Sequence, residues 1–181
     1  YDEDPSNINA MKLLSTALFR TDRYKEAIKI YNDILELEPN NTDVMLSKGH
    51  LYKTSGELDK SIESYKKAYQ TDKYFGDSYW SLANLKTYKF SDKEVKSLDK
   101  MVNDVYVSED ERAFMHFALG KAYEDLNEYK KSFKHYKEGN LIKKNKSLFN
   151  TSDFSKECQN QIDVCTKDLF EMKKSWGSES N

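Results

Sequence analysis

Six glycines and two prolines in 181 residues fall well short of the roughly 12% that these two residue types usually supply together. Sandwiches, barrels and doubly wound sheets need more turn residues than that, so they are excluded. No apolar run approaches the roughly 18 residues required to span a bilayer, and no membrane partner is expected. Arginine is nearly absent: Arg20, Arg23 and Arg112 stand alone beside the lysines, which leaves little for bidentate phosphate or carboxylate recognition. The net charge of −2 supplies no bulk field toward nucleic acid. The only cysteines, Cys158 and Cys165, sit about 10 Å apart along one helical stretch, too far to bridge. A reducing compartment is therefore allowed, and the cytoplasm is the expected location. His50, His116 and His135 show no metal-ligand spacing. Neither G-x-S-x-G nor G-x-x-x-x-G-K-[ST] occurs, so neither a cofactor nor catalysis is expected of this fragment.

What is present is charge (33%) together with aromatics (13%), including 13 tyrosines and nine phenylalanines. Disordered tails lack that aromatic content, so the chain reads as a folded, all-α domain with a wet surface.

Small residues recur at Ser15, Gly49, Ala83 and Gly120, spaced 34, 34 and 37 apart. Ala27, Ser61, Val95 and Ser132 keep the same phase, as do Tyr31, Tyr65, Asp99 and Tyr136. A period of 34 with two helices per unit resembles the tetratricopeptide repeat. The resemblance implies a right-handed α-solenoid of antiparallel helix pairs, A and B. Where A and B cross most closely only a small side chain fits. Pro39, with Asn40 and Asn41, stops the first B helix, and Gly56 turns the chain within the second unit. The expected division is an extension at 1–7, repeats at 8–41, 42–75, 76–112 and 113–146, a capping helix at 147–176 and a linker at 177–181. The third unit matches only at Tyr79, Leu82 and Ala83, and its B helix should be short, opening at a capping box Ser91–Glu94. A second box, Ser108–Glu111, opens the fourth A helix. Phe154, Cys158, Ile162, Cys165, Leu169 and Met172 line one face of the terminal helix, so both thiols are expected buried there. His116 is expected as a half-buried packing residue. Lysines 130, 131, 134, 137, 143, 144 and 146 belong to a solvated outer face, with Tyr129, Phe133 and Tyr136 in the core.

Positions 2, 5, 9 and 12 of each A helix line the concave surface. The candidate peptide-binding residues are Lys12, Thr16 and Phe19 in the first unit and Leu46, His50 and Lys53 in the second. Trp80, Asn84 and Thr87 follow in the third, then Phe117, Lys121 and Glu124 in the fourth. Trp80 and Phe117 offer apolar anchors beside polar groups, a composition suited to a protein or peptide partner. The carboxylate clamp by which many such repeats hold a chaperone C-terminus is broken: Thr16, Ser47 and Asp77 replace the Asn, Asn and Lys it needs.

The run Tyr79–Asp92 and the run Ser108–Asn140, which includes His116–Asp125, resemble the last repeats of bacterial repeat-containing sulfotransferases. That resemblance implies a scaffold placed before a sulfotransferase domain, whose P-R-S-G-[TS]-[TS] loop would hold the donor PAPS. The start at Tyr1 without Met and the end at Asn181 read as those of an excised fragment. The alternative is a purely structural stack that supports the enzyme domain or forms a homodimer.

Overall fold

The computed structural model describes residues 7–147, 150–174 and 176. All regular structure among them is helical. Four pairs follow one another: α1 (Ile8–Arg20) with α2 (Tyr24–Leu37), α3 (Thr42–Thr54) with α4 (Leu58–Thr71), α5 (Gly76–Ala83) with α6 (Asp92–Met101), and α7 (Glu109–Asp125) with α8 (Tyr129–Lys146). Two further helices follow, α9 (Thr151–Val164) and α10 (Lys167–Met172). The chain divides into two units, residues 1–143 and 144–181.

Short polar side chains cap the starts of α1, α3, α6, α7, α9 and α10. Asn7 and Asn41 accept from the amides of Ala10 and Val44, both at 3.1 Å, and so satisfy one orphan donor each. The turn between A and B uses the same position in three units: Asp22, Gly56 and Asn127 all have positive φ. In the third unit the left-handed residue is Lys86, at φ 63°, four places earlier. That shift removes one turn from α5.

The small-residue rule holds at each crossing. Ser15 and Ala83 are buried, and Ser15 Oγ donates to Met11 O at 2.9 Å. A Cβ on Gly49 would lie 2.3 Å from Tyr65 Cε1, and one on Gly120 would lie 2.8 Å from Tyr136 Cδ1. Each tyrosine ring therefore occupies the space that a side chain would need. One apolar cluster joins α1 and α2 to α3 through Met11, Ile30, Ile34 and Leu51. A larger one runs from Tyr65 through Leu82 and Leu98 to Met115 and Leu119.

The third unit departs from the repeat for a visible reason. Leu85 and Phe90 are buried in the segment between α5 and α6, where a longer α5 would not carry them. Tyr88 Oη donates to Glu94 Oε1 at 2.6 Å and Tyr69 Oη donates to the same atom at 3.0 Å. Ser91 donates to Glu94 Oε2 from both N and Oγ, which completes the expected capping box. Burial opposes ionisation of Glu94, but the bonds from Tyr88, Ser91 and Tyr69 outweigh it and hold the carboxyl below its ordinary range. Burial and Glu94 together push both tyrosine hydroxyls well upward. Glu94→Ala orphans these donors and is expected to cost about 2 kcal/mol in urea denaturation, with Glu94→Gln retaining roughly half of that because one acceptor survives.

Several expectations are corrected. The predicted single helix over 147–176 is two helices, broken at Cys165 because Thr166 caps α10 through Leu169 N at 3.2 Å. Neither α9 nor α10 buries a side chain, and Cys158 and Cys165 are exposed, not buried. Tyr129 and Phe133 are exposed on α8, not in the core. The second capping box is half formed. Ser108 Oγ accepts from Glu111 N, but the Glu111 carboxylate turns away to accept from Asp77 N at 3.0 Å, tying α7 to α5. The expected linker at 177–181 lies outside the described residues, as do positions 1–6.

Candidate functional site

The A helices carry the predicted groove residues with unequal result. On α5 and α7, Trp80 and Phe117 are both half-buried, and their rings meet at 5.5 Å between centroids, tilted by 52°. That geometry lies within the favourable range for an aromatic pair. Phe117 can lie flat because α8 presents Gly139, where a Cβ would stand 2.8 Å from Phe117 Cε1. The two rings come from different units, so the contact exists only because α5 packs directly on α7.

Polar groups flank the pair. Lys121, half-buried, bonds to Asp125 one turn along. Glu124 is exposed and accepts from Tyr136 Oη at 3.2 Å. Burial and Glu124 together push the Tyr136 hydroxyl up to about 12. His50 is exposed, with Nδ1 2.8 Å from Tyr65 Oη. Desolvation lowers the His50 pKa against the opposing pull of Asp77. Asp77 is half-buried and accepts from Ser81 Oγ at 3.2 Å.

Four predicted residues behave differently. Thr87 is not on a helix, because α5 ends at Ala83; its Oγ1 donates to Leu85 O. Asn84 is the exposed C-cap of α5, one place beyond the last helical residue. Leu46 is drawn into the core, joining the cluster of Tyr65 and Leu82. Phe19 is half-buried against Tyr24, 5.8 Å between rings, and packs on the core of the first unit. Lys12 is half-buried, and Thr16 and Lys53 are exposed. The Thr16 hydroxyl is turned onto its own helix at Lys12 O. The groove thus concentrates its apolar surface at one point, Trp80 with Phe117.

A second polar feature escaped sequence reading. His116 on α7 and His135 on α8 are both buried, with their Nδ1 atoms 3.0 Å apart. Asp99 Oδ1 lies 3.4 Å from His135 Nε2. Together with Asn103, Tyr123, Lys134 and Glu138 they line a cleft of about 440 Å³. Burial, then the proximity of His135, lowers the His116 pKa to about 4; burial lowers that of His135 too. His116 was legible as a packing residue, but its partner was not. No group of three or more metal-ligating side chains is assembled among the described residues.

The tetratricopeptide repeat profile matches residues 10–41, 42–74 and 115–146, more than half of the chain. The chain belongs to the tetratricopeptide-repeat family. It is 36% identical over 50 residues to mouse (Mus musculus) Tetratricopeptide repeat protein 14, a stretch covering 28% of this chain and 6% of that protein. It is 35% identical over 68 residues to Anaphase-promoting complex subunit 3 of Dictyostelium discoideum, covering 38% of this chain and 7% of that one. The chain thus spans less than a tenth of either relative. Among solved structures, a crystal structure of MamA superposes with a TM-score of 0.56 at 16% identity, over 82% of this chain and 85% of that one. Another, described as the MamA protein, gives 0.52 at 20% identity over 96% and 97%. At such identity the likeness shows the fold alone. No helix among the described residues is long and apolar enough to cross a membrane.

Proposed function

We propose that this repeat stack is a non-catalytic scaffold that captures a polypeptide segment in its concave groove. The observation that carries the reading is the half-exposed Trp80–Phe117 pair, set at adjacent groove positions on α5 and α7. A paired aromatic surface rimmed by Lys121 and Glu124 has the make-up of a binding hot spot, with an apolar centre and polar edges. Asp77 beside it disfavours a C-terminal carboxylate and favours an internal or basic segment. A peptide array probed with wild type and with Trp80→Ala/Phe117→Ala tests this. Binding weaker by 10- to 100-fold at unchanged helix content is expected; unchanged binding removes the groove from the account.

The proposal extends to the parent protein on the resemblance of the runs 79–92 and 108–140 alone. In that reading the scaffold presents its polypeptide to a tethered, PAPS-dependent sulfotransferase domain of a bacterial protein. A P-R-S-G-[TS] loop encoded beyond Asn181 supports it, and its absence there overturns it. A reducing cytoplasm suits the two exposed, unpaired thiols.

A further inference from the structure

A periodic stack hides the same face at every internal junction and exposes it at its two ends. Counting each unit from its first residue, position 21 on the B helix is Ile28, Ile62, Lys96 and Phe133. Position 10 is Ala17, Leu51 and Ala122 on their A helices and Leu85 just beyond the end of α5. Ile28 packs on the cluster that buries Leu51 of the next unit, and Ile62 packs on the cluster that buries Leu85 of its next unit. Position 6 is Leu13 in the first unit, the half-buried Ser47 in the second, and Ser81 and Ala118, both buried, in the third and fourth. The first two junctions therefore set a bulky apolar position 21 into the cluster that buries position 10 of the following unit, whereas at the third junction position 21 is the exposed Lys96.

Both halves of that junction stand open at the ends. On α8, Phe133 is 71% exposed and its neighbour Tyr129 is 64% exposed. On α1, Leu13 is 73% exposed, and Ala17, a turn away, is exposed and small enough to admit a ring. We infer that the occupant of the α8 face is the α1 face of a second copy of this chain. The contact continues the junction that Ile28 and Ile62 form at the first two internal boundaries. The two surfaces differ, so the association is heterologous: each added copy leaves a fresh α8 face, and growth does not stop at a dimer. A single helix-on-helix contact buries less than the roughly 1,600 Å² of a standard interface, so association is weak and rises with concentration.

Sedimentation velocity of the 181-residue chain over a concentration series tests this. The weight-average sedimentation coefficient is expected to climb past the dimer value without a plateau. Phe133→Glu and Leu13→Glu, both at exposed sites, are each expected to hold the chain monomeric with unchanged circular dichroism. Mixed in equal amounts, the two variants form dimers and nothing larger, because each retains one intact face. Trp80→Ala leaves the series unchanged, which separates this association from peptide capture. A monomer at every concentration, as when the face serves an unrelated protein, overturns the inference. So does a closed dimer indifferent to both variants, or a mixture that stays monomeric.

Discussion

Gly76→Ala is expected to destabilise the fold by about 3 kcal/mol or more, the upper end of what overpacking by one methyl costs. Gly76 is the first residue of α5 and is buried. A Cβ there would lie 2.1 Å from Glu111 O and 2.9 Å from Glu111 C, both backbone atoms of α7. A flexible side chain can swing away from such a clash, whereas a helix backbone can only translate. Separating α5 from α7 would loosen Tyr79, Leu82 and Met115, all buried at that junction, and break the Asp77 N to Glu111 bond. Gly56→Ala is the control: its φ of +83° carries a strain cost of roughly 1 to 2 kcal/mol, but no atom lies within 4 Å of the added methyl. Urea denaturation of the two variants measures the difference. Equal midpoints would mean that α5 and α7 do not approach as described. Because Trp80 and Phe117 stand on these same helices, peptide capture should weaken with Gly76→Ala and survive Gly56→Ala.

Stability is expected to fall as pH drops from about 6.5 toward 4, by as much as roughly 3 kcal/mol. Burial favours the neutral imidazole of His116 and lowers its pKa to about 4, below that of the unfolded chain. Between those two values the unfolded state binds the proton that the folded state refuses, so protons favour unfolding. Nearby charges act in both directions: His135, Arg112 and Lys134 oppose protonation of His116, and Glu138 favours it. His135, also lowered by burial, is drawn back upward by Asp99. Lys131 and Tyr123 line the same cleft. With both Nδ1 atoms 3.0 Å apart, one must donate and the other accept, and a doubly protonated pair sets two N–H groups against each other. Thermal melts across this range, for wild type and His116→Leu, check the prediction. The variant should flatten the slope, and an unchanged slope would place its origin elsewhere.

The repeat was readable because its determinants are local. Position 8 is small in all four units, position 15 turns left-handed in three, and Asn or Ser opens every A helix but α5, which follows Phe75. The third unit was readable only as a weak match, because what ends α5 is tertiary: the burial of Phe90 and the grip of Glu94 on Tyr69 and Tyr88. Thr87 and Asn84 left the groove for that reason. Leu46 sank because Tyr65 and Leu82 pack beside it, a contact that no spacing within α3 reveals. The pairing of His116 with His135 depended on how α7 and α8 face each other across 19 residues. The terminal segment misled through its own regularity. A stripe at steps of 4 and 3 suggested one helix, while Thr166, three residues before Leu169, already carried the cap signal that divides it.

The central claim is that a captured peptide touches the Trp80–Phe117 pair. With Trp176→Phe as background, Trp80 is the sole tryptophan and reports on the groove alone. Titrating that protein with a peptide selected on the array should shift Trp80 emission to the blue, saturably, and Phe117→Ala should weaken the midpoint at least tenfold. Peptides that bind by calorimetry yet leave Trp80 emission unmoved would contradict the claim.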